Sequence, residues 1–236
     1  MKYYYDLHLH SALSPCGDMD MTPNNIVNMA KISGLDIIAV TDHNSAGNCR
    51  AVEKVGREKG LVVLSGIELE TSEEVHIIML FDSAEKAEQA HNHIKQRQLK
   101  IPLKKDVYGQ QIYYDESDNE IGEEENLLTT ATDIGVYEVV KLATRYGGIA
   151  YPAHIDRQSN GIIQMLGDVA DDMNFSAVEV SKNASDELIE KYQKRGYKII
   201  YSSDAHYLYD INEQSKNFIE LDKLSAERVI EEFAKR

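Results

Sequence analysis

The sequence predicts an α/β protein built on a mostly parallel sheet, in a barrel or an open arrangement. Apolar runs of four to eight residues alternate with amphipathic stretches from the first residues onward. Strands separated by helices in this way imply βα units. At 236 residues the chain suits one domain with room for a small insertion, and it can bury a substantial core without any repeat.

The elements follow in order. YYYDLHLH reads as a first strand and leads into a turn rich in Ser, Pro, Gly and Asp. Thr22-Pro23 then marks a helix start, with proline in the first turn, where its missing N–H costs nothing. Ile26, Val27, Met29 and Ala30 give this helix an apolar side that ends near Gly34. DIIAVTDH is a buried strand, Arg50 to Lys59 a polar helix stopped by Gly60, and LVVLSGIELE and EVHIIMLF the next two strands. Later come a helix over Tyr137 to Tyr146, the strand GGIAYPAH, a helix near Ile162 to Met173, the strand AVEVS, a helix to Arg195, and the strand KIIYSSDAH. Seven strands are thus expected. NFIELD adds a short one before an amphipathic C-terminal helix from Ser225 to Arg236.

Residues 82–133 break this rhythm. An amphipathic helix around Ala84 to Gln98 gives way to QQIYYDESDNEIG, which resembles a hairpin because QIYY and EIG flank the turn-forming DESDN. The acidic run Glu123, Glu124 and Glu125 reads as a solvated face or a helix start. The whole stretch is expected to be an insertion between the fourth and fifth strands that covers one end of the domain.

The net charge of −15 argues against broad binding to duplex nucleic acid, which needs a surface rich in Lys and Arg. It does not exclude a nucleotide substrate, because bound cations can reverse the field inside a cleft. No apolar run approaches membrane-spanning length and the N-terminus carries no secretory pattern, so the expected location is the cytoplasm, away from membranes. Cys16 and Cys49 have no paired spacing and are expected to be free thiols.

The chemistry shows in position. His8 and His10 end the first strand, Asp42 and His43 the second, Glu68 the third, His154 the fifth, and Asp204 and His206 the seventh, while His76 sits inside the fourth. In a barrel of parallel strands the C-terminal ends form one face, where active sites are built. Alternation along a strand points His8 and His10 to the same side, and likewise Asp204 and His206, so each pair can chelate one ion from a rigid element. A mixed set of imidazoles and carboxylates suits several divalent ions, with zinc, manganese and iron all admitted. His91 and His93 lie on a polar helix and are expected to be solvated. Arg157, three residues after His154, and Lys182, just past the sixth strand, could clamp a phosphate.

With those residues assembled, the sequence resembles the PHP family, the polymerase and histidinol phosphatase domain. DLHLHS, AVTDHNS, GIELE followed by EVHIIML, PAHID and SSDAH match its motifs in order, from Tyr5 to His206. The resemblance implies a distorted (β/α)7 TIM-like barrel with two or three divalent ions (Zn, Mn or Fe) at its C-terminal face. Carried over by motif, the catalytic set His8, His10, Glu68 and Asp204 would hold one ion, and Glu68 would bridge to a second held by His76 and His154. A third would sit on His43, His206 and a residue of the loop after the first strand. That loop, SPCGDMDMTP, is longer than in small phosphoesterases of the family. Counting back from Thr22-Pro23 selects Asp18, with Cys16 and Asp20 as alternatives.

The activity so implied is hydrolysis of a phosphomonoester, of a nucleotide or a short oligonucleotide, by a metal-activated hydroxide. Histidinol-phosphate hydrolysis, amidohydrolase-like C–N cleavage and a non-catalytic regulatory PHP module are the alternatives.

Overall fold

The computed structural model describes residues 1–211 and 217–236. The chain runs β1 (Lys2–Leu9), α1 (Pro23–Ile32), β2 (Ile37–Val40), α2 (Cys49–Lys59), β3 (Val62–Glu70), β4 (His76–Phe81), α3 (Ala84–Ile94), α4 (Lys105–Tyr108), β5 (Ile112–Tyr114), β6 (Glu120–Glu123), α5 (Val136–Arg145), β7 (Ile149–Pro152), α6 (Ile162–Leu166), β8 (Ala177–Val180), α7 (Asp186–Lys194), β9 (Lys198–Tyr201), β10 (Phe218–Glu220) and α8 (Ala226–Phe233). Short 3-10 turns lie at Asp171–Met173 and Leu208–Asp210. The expected strands are all present, together with the hairpin β5–β6. The helix expected over Ile162 to Met173 is broken at Gly167, whose φ of +89° no continuous helix accommodates.

Six strands form one sheet in the order β10-β1-β2-β3-β4-β7, which curls into a half-barrel, and β8 pairs with β9 in a separate parallel ladder. The β1–β2 and β2–β3 pairs are parallel, as βα units require. The sheet is nevertheless mixed: β4 runs antiparallel to both β3 and β7, and β10 is antiparallel to β1. The cause is local. Only residues 71–75 join β3 to β4, too short a link for the crossover that parallel strands need, so the chain folds straight back.

This reversal positions the site. Glu70, the last residue of β3, pairs with His76, the first of β4. A histidine at the start of a reversed strand therefore stands at the same edge as ligands at the ends of forward ones.

The central strands are buried on both sides, with Ile37 to Val40 and Ile77 to Phe81 fully or almost fully covered. Helix α3 packs Ala84, Ala87, Ala90 and Ile94 into the same core cluster as Ile77, Met79 and Phe81. Beyond it, the β5–β6 hairpin lies on the loop after β1 and the start of α2. The Ile112 N–H donates to the Ala12 carbonyl, and Asn48 brackets the strand through the Ile112 carbonyl and the Tyr114 N–H. Gly47 is obligatory there, since a Cβ would meet the Tyr113 ring at 2.3 Å. The acidic run is not simply a solvated face. It ends β6, and Glu124 is buried, accepting from the Tyr113 hydroxyl, the Asn126 N–H and the Lys95 ammonium. His91 and His93, expected to be solvated, are only partly exposed, because α3 packs against the core along its small apolar side.

Among the described residues, no helix is long and apolar enough to cross a membrane.

Candidate metal centre

At the common edge of β1, β2, β3, β4 and β7, and in the segment that follows β9, six histidines and two carboxylates converge. Glu68 is the hub. Its Oε1 lies 2.8 Å from His76 Nδ1, 3.2 Å from His154 Nε2 and 3.4 Å from His8 Nε2. Its Oε2 lies 2.9 Å from His43 Nδ1 and 3.3 Å from His10 Nε2. Asp204 Oδ1 is 3.1 Å from both His8 Nε2 and His10 Nε2. The His206 ring stacks on His10 with centroids 4.2 Å apart. His8, His10, Glu68 and His154 are almost entirely excluded from solvent.

The donor atoms gather into three overlapping groups: His10, His43 and His206; His8, His10 and Asp204; His43, Glu68 and His76. Eight of the nine expected ligands are thereby brought together, His154 joining through Glu68. Asp18 is not. Its carboxylate turns to its own loop and accepts the Asp20 N–H at 2.8 Å, although its backbone N–H donates to the His206 carbonyl. Cys16 of the same loop has an exposed side chain and joins none of these donor groups, but it lies beside the centre's histidines. Partial desolvation opposes ionisation of its thiol, and interactions with His206 and His43 bring it down to about 5.

The electrostatics are those of a cation site. Desolvation would push the Glu68 carboxyl up, yet His76, His8 and His43 hold it well below the usual range. Asp204 is likewise depressed against desolvation, by His8 and His10. Glu68 Oε2 and His43 Nδ1 are buried 2.9 Å apart, yet neither has a hydrogen bond of acceptable geometry. Likewise His8 and His10 set their Nε2 atoms 3.2 Å apart. Ring nitrogens and carboxylate oxygens crowded this closely in a dry interior are costly unless positive charge, from protons or a metal ion, lies between them. The residues therefore fit divalent ions.

An outer layer orients these ligands. Glu179 of β8 places Oε1 3.0 Å and Oε2 3.2 Å from His8 Nδ1, and accepts the His154 N–H at 3.1 Å. Ser14 Oγ sits 2.9 Å from His10 Nδ1, accepts the His43 N–H and donates to Asp42 Oδ1. Asp42, expected among the metal-competent strand-end residues, stands behind the ligands and also holds Ser11 through its N–H and hydroxyl. Fixing Nδ1 in this way presents Nε2 as the ligand atom. Glu179 escaped the sequence reading; its one signal is an acidic residue between valines in a short buried strand.

Two of the expected ligands sit on unusual backbone. His154 has φ +28° and Asp204 φ +53°, a left-handed region that costs a side-chain-bearing residue energy and persists where packing enforces it. Arg157 meets Asp204 Oδ2 at 2.5 Å. Arg157 and Lys182 both line a cleft of about 270 Å³ that reaches His154, Glu179 and Asp204.

Comparison with known proteins assigns the family. The PHP domain model matches residues 6–176, and the chain belongs to that family. A 5'-3' exoribonuclease of Haemophilus influenzae is 32% identical over 83 residues, a match taking in 34% of this chain and 29% of that protein. The chain thus spans under a third of that curated relative. The fold recurs in the lesion-specific endonuclease Q of Pyrococcus furiosus, with TM-score 0.73 and 16% identity over 99% of this chain and 56% of that one. It also recurs in a candidate metal-dependent phosphoesterase from Bifidobacterium adolescentis, with TM-score 0.63 and 18% identity over 96% and 94% of the two chains.

Proposed function

We propose that this chain is a metal-dependent phosphoesterase that hydrolyses a phosphomonoester of a nucleotide or short oligonucleotide. The observation that carries this reading is the buried Glu68 carboxylate, faced by five imidazoles beside a cleft that holds Arg157 and Lys182. His8, His10, Glu68 and Asp204 would hold one ion, Glu68 with His76 and His154 a second, and His43 with His206 a third, which Cys16 fits better than Asp18. Bound divalent ions would supply a water acidic enough to act as hydroxide near neutral pH and positive charge for phosphate oxygens.

The protein's own groups do the rest. Glu179 and Ser14 keep protons on the Nδ1 atoms of His8 and His10, so both rings turn Nε2 inward. Arg157 and Lys182 orient the phosphate, Arg157 by exchanging its contact with Asp204 for phosphate oxygens. Residues 82–133 would act as an insertion in a single domain, and β8–β9 would complete a seven-stranded barrel with the curled sheet. An acidic chain is better matched to small or single-stranded substrates than to duplexes.

The test is reconstitution with Zn, Mn or Fe, followed by metal analysis and phosphate release on nucleoside phosphates, single- and double-stranded oligonucleotides and histidinol phosphate. Two or three ions per chain with chelator-sensitive release from nucleotides supports the proposal. Release from histidinol phosphate alone, turnover of esters or amides without phosphate, or bound metal with no turnover would overturn it.

A further inference from the structure

The segment after the last histidine ligand is built differently from the rest of the site. In the 3-10 turn Leu208–Asp210, Leu208 packs on the cluster beneath α1 that includes Ile26, Leu35 and Val52. Ile211 is buried in the same cluster, and its carbonyl accepts the Ser33 hydroxyl at 2.8 Å. Those two apolar anchors fix the turn and leave the aromatic residues between and before them outside. Tyr207 is 42% exposed and Tyr209 75% exposed. Their rings are parallel to within 15°, with centroids 5.2 Å apart.

Place matters as much as exposure. Tyr207 directly follows His206, whose ring stacks on His10 in the centre. Asp210, at the end of the turn, lines the cleft shared with Arg157 and Lys182. Two exposed, mutually stacked rings in the segment between a histidine of the centre and a residue that lines the polar cleft are suited to a planar ring attached to the phosphate-bearing group. Stacking of this kind accepts any base, because every base has a π face, but it requires the base to be unstacked from its own neighbours.

We propose that Tyr207 and Tyr209 form a stacking platform for the base of the nucleotide whose phosphate enters the metal centre, selecting mononucleotides and single-stranded ends. The proposal rests on the phosphoesterase reading for the placement of that phosphate. The net charge of −15 agrees with it, since stacking supplies affinity that a broad basic surface otherwise would.

The experiment is calorimetric titration of the manganese-loaded full chain with the non-hydrolysable methylenephosphonate analogues of adenosine 5'-monophosphate and of ribose 5-phosphate, the second of which carries the same phosphonate and no base. The nucleotide should bind roughly 5- to 150-fold more tightly. In the double variant Tyr207→Ala and Tyr209→Ala that difference should close, while Tyr209→Phe should keep it. Equal affinities in the native chain, binding of neither ligand, or a difference that survives the double alanine variant would overturn the platform. Phosphate release is scored separately. A clear preference for the nucleotide without release in any metal state would reject the hydrolase and leave the platform standing.

Discussion

Glu179 and His8 form a carboxylate–imidazole pair 3.0 Å apart that joins β8 to β1 across the metal centre. Because the same oxygen also accepts the His154 N–H, one carboxylate sets the orientation of two proposed ligands, His8 on β1 and His154 just past β7. Glu179→Gln keeps the volume and removes the charge. Affinity for the ion on His8 should fall about 10- to 100-fold. Competition with a chromogenic chelator measures this, and unchanged affinity would reduce Glu179 to a packing residue.

The loop after β1 makes a second prediction. Cys16 interacts with His43 and His206, whereas Asp18 is turned to the Asp20 N–H. Cys16→Ala should therefore lower the number of ions retained after dialysis, and Asp18→Ala should leave it unchanged. The opposite result in metal analysis would restore Asp18 as the third-site ligand.

Arg157 separates binding of substrate from binding of metal. Its guanidinium contacts Asp204 from the cleft side and is half exposed. Arg157→Ala should raise KM for the substrate about 10- to 100-fold, the scale of a charge-assisted hydrogen bond, without weakening the metals. Lysine in its place should restore only part of the loss, because it lacks the fork. Unaltered kinetics on every phosphoester would remove Arg157 from the site.

Glu124 is expected to make one pH-dependent contribution to stability. Burial alone would raise its carboxyl, but Tyr113, Asn126 and Lys95 hold it at about 2, below its ordinary 4.5. A depressed carboxylate binds fewer protons folded than unfolded, so its contribution is complete above about pH 4.5 and is lost as pH falls toward 2. Glu124→Gln should lower the urea midpoint at pH 7, and the gap to the native chain should narrow between pH 4.5 and 2. A constant gap would show that the carboxylate's charge is not what matters.

Much of the candidate centre was legible because ligand residues are poor neighbours for buried strands. His8, His10, Glu68 and Asp204 each interrupt or end an apolar run, and such interruptions survive without any knowledge of strand direction. Direction itself was not legible from the run EVHIIMLF, since alternation and hydrophobicity read the same both ways. The signal lay in the short link before His76, which forbids a parallel crossover. Glu124 and Glu179 show the opposite limit: their partners, Tyr113 and Lys95 in one case and His8 in the other, become neighbours only through tertiary packing. Nor could spacing decide between Cys16 and Asp18, because a loop's register is set by what it packs against, here the His206 carbonyl and the Asp20 N–H.

The six-stranded sheet and the β8–β9 ladder meet where the ions would bind. Besides Glu179, the links between them include the His10 N–H to the Ala205 carbonyl, the Ser203 N–H to Asp6 and the Ile155 N–H to the Glu179 carbonyl. His8 and Asp204 would share an ion from opposite sides of this junction. Metal would then act as a rivet as well as a reagent, and amide exchange along β8 and β9 should quicken when it is stripped. If ions bind there, their supply would bear on how long the fold persists against proteolysis as well as on any chemistry they support.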